Sequence, residues 1–135
     1  MKAIADTGYL VALLIRDDEH HDWATGLAPQ FVLPLLTCEA VLAEAAFHLR
    51  SSAYLLALLQ RGGIRVAFDI ESQVEHLESL ATRYADRQPD LADLCLVRMS
   101  ELYPRHTVIT VDEEDFRVYR RNKREAIPLL CPPRK

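Results

Sequence analysis

The amino-acid sequence predicts an α/β protein in which a central parallel sheet is covered by helices on both faces. Short segments with strand character alternate with longer segments of helical periodicity along the whole chain. The 135 residues are 50% hydrophobic and 27% charged, which is the balance of an ordinary globular protein. Because a domain typically contains about 150 residues, we expect residues 1–135 to form a single domain.

The N-terminal half of the chain is predicted to supply two strands. The first covers Lys2–Ala5, and the second covers Phe31–Leu33 and ends at Pro34, which cannot donate a hydrogen bond inside a sheet. Thr37 precedes a helical pattern in the position of an N-cap, and Gly62-Gly63 closes the following helix. The helices predicted in this half cover residues 8–15, 20–27, 38–50 and the segment that begins after Ser51 or Ser52.

The C-terminal half is predicted to supply three more strands. They cover Arg65–Phe68, Thr107–Thr110 and Ile127–Leu130, and the last is expected at an edge because it contains Pro128. Apolar residues at helical spacing predict the intervening helices. These helices cover residues 71–84 and 90–102. Right-handed crossovers between parallel strands place all the carboxyl ends of the strands on one edge of the sheet.

Composition excludes several classes of protein. The formal net charge of −4 argues against a protein that coats nucleic acid by bulk charge. Three widely spaced cysteines indicate free thiols in a reducing cytoplasm rather than a disulfide framework or a zinc site. Asp6 interrupts the apolar N-terminus, and no uncharged apolar run approaches the ~18 residues of a membrane span. We therefore expect a cytoplasmic protein without a membrane partner.

Acidic residues follow two of the predicted strands. Asp6 ends the segment Ile4-Ala5-Asp6, and Asp112 ends the segment Val108–Asp112. Ligands of open α/β sheets bind outside the carboxyl ends of the strands, so these carboxylates are predicted to share a functional edge. The alternative is that each residue only caps the element that follows it.

Three further acids occur within helical segments. Glu44 lies one helical turn from Val41 and Phe47, so we expect it on an apolar face, where an unpaired carboxylate would cost several kcal/mol without a cation. The alternative is an exposed residue on a narrow polar stripe. Asp90 is placed as an N-cap, whereas Asp93 is followed by apolar residues one turn later and is expected to face the core.

Converging carboxylates without a basic partner require a cation. Two like charges ~4 Å apart repel by about 4 kcal/mol at an effective dielectric constant near 20. Several hard oxygen ligands favour Mg²⁺ or Mn²⁺ over zinc. Such an ion activates water and stabilises the charge that develops on a phosphate. The sequence contains neither a recognisable nucleophile–histidine pair nor a phosphate-binding GxxxxGK[ST] loop.

The acids occur in an order that resembles the PIN-domain ribonucleases, in particular the VapC-type toxins. The motifs that carry this resemblance are Asp6-Thr7, Ala43-Glu44, Leu91-Ala92-Asp93-Leu94 and Thr110-Val111-Asp112-Glu113-Glu114-Asp115-Phe116. The resemblance implies a three-layer α/β/α PIN-like fold and a Mg²⁺- or Mn²⁺-dependent endoribonuclease. It also implies a VapB-type antitoxin that inhibits the enzyme, and we expect a homodimer.

The resemblance also assigns roles to individual residues. It implies four catalytic metal ligands, which are Asp6, Glu44, Asp93 and Asp112. It gives auxiliary roles to Asp90, Asp115, Thr7 and Thr110, because hydroxyl groups beside the acids can orient carboxylates or water. Asp112 and Asp115 compete for the fourth ligand position, since four acids crowd one helical turn.

A basic run follows the acidic turn. Its residues are Arg117, Arg120, Arg121, Lys123 and Arg124. Beside a metal site they could hold RNA phosphates, and the alternative is a solvated face.

Two other functions compete with the nuclease. One is a PIN-like module that binds RNA or protein without cutting it, against which the complete set of acids argues. The other is a phospho-acceptor domain, which is disfavoured because no lysine follows a strand in the required place.

Overall fold

Seven strands and seven α-helices make up residues 1–134, the part of the chain that the structure, a computed structural model, describes. The strands in chain order are β1 (Ala3–Ala5), β2 (Leu35–Thr37), β3 (Ile64–Val66), β4 (Thr107–Ile109), β5 (Arg120–Arg121), β6 (Glu125–Ala126) and β7 (Leu129–Leu130). Five of them form one parallel sheet in the order β3-β2-β1-β4-β7, and β5 pairs with β6 as an antiparallel hairpin. The predicted α/β fold with a central parallel sheet is confirmed.

The helices connect the strands of this sheet and flank it. They are α1 (Thr7–Leu14), α2 (His21–Leu27), α3 (Glu39–Leu49), α4 (Ala53–Arg61), α5 (Val74–Arg83), α6 (Leu91–Leu102) and α7 (Glu113–Val118). Helix α1 packs against α2 and α3, while α6 packs against α5 and also contacts β1 and β4. No helix within residues 1–134 is both long and apolar enough to cross a membrane.

The centre of the sheet is its most buried part. Every residue of β1 is fully buried, and so are Val108 and Ile109 of β4. A parallel strand with neighbours on both sides and helices on both faces is expected to be apolar, as β1 is throughout and β4 is at Val108 and Ile109. Ala5 pairs with Ile109, and the amide of the next residue, Asp6, donates to the carbonyl oxygen of Ile109 at 3.0 Å. The first residues after β1 and β4 are therefore side by side.

Two predictions about the second strand are wrong. The strand covers Leu35–Thr37 rather than Phe31–Leu33, because Leu35 and Leu36 are buried between β1 and β3 whereas Val32 and Leu33 are 55% and 60% exposed. Thr37 does not cap α3: its hydroxyl group donates to the carbonyl oxygen of Ala5 at 3.0 Å, and Cys38 occupies the N-cap position.

Most other element predictions hold. Gly62 ends α4 with a φ of 81°, a left-handed conformation that glycine adopts without steric cost. Asp90 caps α6, as predicted, and the last strand lies at an edge of the sheet directly after Pro128. The predicted strand at 65–68 begins one residue earlier and ends at Val66. All three cysteines are free thiols.

Candidate metal centre

Asp6 is the innermost acid of the site. It directly follows β1, is 7% exposed, and accepts hydrogen bonds on both carboxylate oxygens. The amide of Thr7 donates to Oδ1 and the hydroxyl group of Thr110 donates to Oδ2, each at 2.6 Å. The same Thr110 hydroxyl accepts from the amide of Asp112 at 2.9 Å. Thr110 therefore couples the end of β1 to the turn that follows β4.

Asp93 approaches from the first turn of α6. Its amide donates to the carboxylate of the N-cap residue Asp90 at 2.8 Å, which fixes the start of the helix. Its own carboxylate is 9% exposed and accepts from the hydroxyl group of Tyr119 at 2.9 Å. Tyr119 is itself buried and packs edge-on against Tyr84 and Phe116, so the aromatic cluster orients this carboxylate.

The turn after β4 completes a cluster of three carboxylates. Asp112 is the N-cap of α7 and accepts from the amide of Asp115, which lies in the first turn. Asp93, Asp112 and Asp115 each present an oxygen, and these oxygens lie within 4.8 Å of one another. Asp112 and Asp115 therefore both lie close to Asp93, and which of them is the fourth ligand stays a prediction.

Burial and mutual repulsion raise the pKa values of these acids. Burial raises the pKa of Asp6 to about 6, against the hydrogen bonds from Thr110 and Thr7, and the charges of Asp112 and Asp90 add to the increase. Burial and the charge of Asp90 raise the pKa of Asp93 to about 8. Burial, followed by the proximity of Asp115, raises the pKa of Asp112. Within residues 1–134, Asp6, Asp93 and Asp112 have no cationic partner, and Arg87 pairs with Asp115.

Glu44 does not join this cluster. It lies on α3, half-buried, and its Oε2 accepts from the hydroxyl group of Thr7 at 3.1 Å, so Thr7 separates it from Asp6. The expectation of an apolar face is wrong, because α3 buries Val41 and Ala45 while Phe47 is 79% exposed. Glu44 lies at the border of the buried stripe, where the polar link to Thr7 is its one side-chain hydrogen bond within residues 1–134.

Comparison with protein families agrees with this geometry. The PIN domain family matches residues 3–122, a range that includes every acid described above. The chain belongs to the PIN domain family. Comparison with curated proteins gives no match. PIN domains are generally metal-dependent nucleases, and this chain carries, at the edge of its sheet, a cluster of acids that could hold a metal ion.

The donor set of this PIN domain fits a hard divalent cation. Asp93, Asp112 and Asp115 offer only carboxylate oxygens, the ligands that such cations prefer, and their mutual repulsion disappears when a cation is bound. Asp6 is close enough for its charge to act on Asp93, and its two hydrogen bonds hold it in place. Asp93, Asp112 and Asp115 are the residues that would hold an ion, and Asp6 lies beside them. The predicted roles of Asp6 and Glu44 as ligands stay predictions.

Sequence reasoning missed two residues of the site. Tyr119 and Arg87 contact the acids, and Arg87 Nη2 lies 3.0 Å from Asp115 Oδ1. Neither belongs to a recognisable motif, because each reaches its partner across a long sequence separation of 26 and 28 residues. No local pattern could have identified them.

The predicted RNA-binding run divides into residues of different character. Arg121 is only 7% exposed, and its guanidinium group donates to the carbonyl oxygens of Ser100 and Pro104 and pairs with Glu125 at 2.7 Å. Pro104 has no N–H, so the Ser100 carbonyl lacks the usual helical donor, and Arg121 replaces it. Arg121 therefore stabilises the end of α6 and is removed from the predicted RNA surface.

The other basic residues remain accessible. Arg117 is exposed and pairs with Glu113, and Arg120 donates to the carbonyl oxygens of Arg117 and Tyr119. Lys123 and Arg124 lie exposed in the turn between β5 and β6, near the C-terminal end of α6. A cavity of about 600 Å³ next to the acids is lined by Val111, Asp112, Glu113, Glu114, Arg117 and Arg134.

Proposed function

We propose that the protein is a divalent-metal-dependent endoribonuclease and the toxic member of a VapBC-type toxin–antitoxin pair, acting in the cytoplasm. The observation that carries the nuclease proposal is the convergence of Asp93, Asp112 and Asp115 beside Asp6. When bound there, Mg²⁺ or Mn²⁺ would activate water and stabilise the charge that develops on the phosphodiester. The resemblance to VapC-type toxins supports RNA as the substrate.

The residues around the acids prepare the site for this chemistry. Tyr119 orients Asp93, while Thr110 orients Asp6 and holds the backbone of Asp112, so two of the carboxylates are oriented before an ion binds. Burial and the charge of Asp90 raise the pKa of Asp93 to about 8, which favours its protonated form when no ion is bound. Binding of an ion would therefore favour release of that proton.

The basic side chains beside the acids support binding of the RNA backbone. Arg117 lines the cavity next to Asp112, and its guanidinium group is 59% exposed. Phosphate contacts of this kind position a nucleic acid without reading its sequence. Lys123 and Arg124 would contact RNA only at a distance from the cleaved bond, because their turn lies at the opposite end of α6 from Asp93.

Exposed apolar side chains on α3 and α4 support the proposal of a protein inhibitor. Phe47, Tyr54 and Leu56 are 79%, 61% and 60% exposed. A protein partner would bury exposed apolar side chains of this size. We propose that a VapB-type antitoxin docks an apolar helix or tail there and reaches the acids with a basic side chain. The expected homodimer remains a prediction.

Cleavage of RNA by the purified protein tests the nuclease proposal. We expect cleavage with Mg²⁺ or Mn²⁺, none with EDTA, and products that end in a 3′-hydroxyl group, since attack by an internal 2′-hydroxyl group would leave a cyclic phosphate. Asp93→Asn serves as the inactive control, and it should remain folded by circular dichroism. Cleavage that persists in chelator, or in the control, would contradict the proposal, and absence of cleavage with either ion would favour a non-catalytic binding module.

Growth of cells that express the protein tests the toxin proposal separately. Expression should arrest growth, and co-expression of the small protein encoded next to it should restore growth. Asp93→Asn should not arrest growth at the same expression level. Growth arrest that is unchanged by the neighbouring protein would count against the antitoxin even if the purified protein cleaves RNA.

A further inference from the structure

Arg87 is the one basic residue within residues 1–134 that forms an ion pair with the acids of the metal centre. It ends a short 3₁₀ segment, Ala85–Arg87, in the connection between α5 and α6. Its Nη2 atom donates to Oδ1 of Asp115 at 3.0 Å, and 31% of its side chain is exposed. The hydrogen bond to Asp115 raises the pKa of the guanidinium group above its ordinary value, so Arg87 is always charged.

A single guanidinium group cannot neutralise the cluster. Five carboxylates repel one another in this cluster, whereas Arg87 pairs with Asp115 alone. The five acids are Asp6, Asp90, Asp93, Asp112 and Asp115. A divalent cation at Asp93, Asp112 and Asp115 would take up the same negative charge that holds Arg87. The cation and the guanidinium group therefore compete for Asp115.

Most of the hydrogen-bonding capacity of Arg87 is unused. A guanidinium group has five N–H donors, and within residues 1–134 the side chain of Arg87 donates only to Asp115. Its planar fork matches the oxygens of a phosphate group and can bind two of them. Because Arg87 pairs with Asp115 at the edge of the acidic cluster, these free donors lie beside the residues that would hold the ion.

We propose that Arg87 has two positions in the proposed nuclease: it pairs with Asp115 when the metal is absent, and it contacts a phosphate oxygen of the RNA backbone when the metal is bound. Only the second half of this inference, the contact between Arg87 and an RNA phosphate, rests on the proposed function. The first half, competition between Arg87 and the cation, concerns the protein without RNA and is tested separately.

Binding of Mn²⁺ alone tests the competition. We expect Arg87→Gln to bind Mn²⁺ about five- to tenfold more tightly than the parent by isothermal titration calorimetry, because no cation then opposes the ion at Asp115. Arg87→Lys keeps the charge and should bind Mn²⁺ as the parent does. Arg83→Gln is the matched control, since Arg83 ends α5 and lines a separate cavity with His76 and Lys123. Equal Mn²⁺ affinity in Arg87→Gln and the parent would overturn the competition.

Binding and cleavage of RNA test the second position. With Ca²⁺ in place of the catalytic ion, the affinity for a fluorescent single-stranded RNA should fall about tenfold in Arg87→Gln, which is the loss of one charge-assisted hydrogen bond. With Mg²⁺, KM should rise by a similar factor while kcat changes less, a separation that a loss of folding would not produce. Arg87→Lys should recover part of the affinity, because it keeps the charge but not the fork.

The outcomes distinguish this inference from the proposed function. If the parent binds RNA but does not cleave it, the nuclease proposal fails while the Arg87 phosphate contact is still decided by RNA affinity. If the parent binds no RNA, or if Arg87→Gln binds it as tightly as the parent, the second position is overturned. Melting temperatures of all four proteins in EDTA should agree within a few degrees, since the Arg87–Asp115 pair is partly exposed.

Discussion

The two ends of α6 differ in whether their charged side chains have partners of opposite charge. At its N-terminal end, Asp90 and Asp93 face other carboxylates, and burial with mutual repulsion raises the pKa of Asp93 to about 8. At its C-terminal end every charge has an opposite partner: Arg98 pairs with Glu101 at 3.0 Å, and Glu101 also accepts from the amide of Asn122. The same helix therefore carries an unbalanced group of charges and a balanced one.

This difference separates function from stability. Asp93 and Glu101 are eight residues apart, about 12 Å along the helix axis, and they share no side-chain partner. Substitutions at sites this far apart without a shared partner usually have independent effects, so each end of α6 can be tested separately. Paired charges at the C-terminal end hold the fold together, whereas the crowded carboxylates oppose folding until a cation binds them.

Replacing Asp93 should produce the largest effect on activity. Asp93→Asn keeps the shape and the amide link to Asp90 but removes one charge from the cluster. We expect RNA cleavage to fall about 10²-fold or more, and the melting temperature in EDTA to hold or rise. At the balanced end, Glu101→Gln should lower the melting temperature and leave cleavage unchanged. If both variants reduced cleavage equally, the N-terminal end of α6 would not differ from its C-terminal end in its role in cleavage.

Replacing Arg121 should produce the largest loss of stability. Arg121→Leu removes the donor for the carbonyl oxygens of Ser100 and Pro104, and the Ser100 carbonyl then loses this partner in a buried position. We expect a loss of about 2 kcal/mol in the free energy of unfolding, measured by urea denaturation, with unchanged cleavage per folded molecule. The exposed Arg124 is the control, and Arg124→Ala should change stability by less than about 0.5 kcal/mol. If the Arg121→Leu protein kept its stability but bound RNA more weakly, Arg121 would belong to the RNA-binding surface that the sequence predicted.

Replacing Glu44 should have a smaller effect on cleavage than replacing Asp93. Glu44→Gln can still accept the hydrogen bond from Thr7, and Glu44 is absent from the three-carboxylate cluster. We expect cleavage to fall about tenfold, because Glu44 would act on the ion indirectly, through its hydrogen bond to Thr7. A loss as large as that of Asp93→Asn would show that Glu44 binds the ion directly. Full activity would show that the resemblance at the second acid is misaligned.

The pH dependence of stability should differ between the parent and Asp93→Asn when metal is absent. The pKa of Asp6 is raised to about 6 and that of Asp93 to about 8, so between about pH 4 and these values the folded protein binds more protons than the unfolded chain. The melting temperature in EDTA should therefore fall as the pH rises from 4 to 8. In Asp93→Asn the decrease should end near pH 6. A parent protein whose stability rises over this range would contradict the unbalanced charge at this end of α6.

The sequence predicted the central strands and one helix cap correctly, but it misplaced the second strand. The central strands could be predicted because their burial makes them apolar throughout, and Asp90 could be predicted because capping is local. The second strand was misplaced because Val32 and Leu33 are as apolar as the true strand Leu35–Thr37, and only pairing with β1 and β3 distinguishes the two segments.

The site was predicted less completely than the fold. A basic run in the sequence does not reveal which arginine is buried, because Arg121 is buried through contacts with Ser100 and Pro104, which lie 21 and 17 residues earlier in the chain. The helical pattern around Glu44 could not show which side of α3 faces the core. Tyr119 and Arg87 depend on tertiary contacts alone, and a single sequence contains no signal for them.

The hydrogen bond between Asp6 and Thr110 joins residues 104 positions apart, and Tyr119 reaches back to Asp93 from still later in the chain. A ribosome that synthesises this protein therefore exposes Asp6 well before the residues that orient it. The nascent chain has no assembled acidic centre until β4 and the segment after it have emerged and entered the sheet. For a protein proposed to destroy RNA, this order of synthesis keeps the acidic centre incomplete until residues 107–119 have left the ribosome.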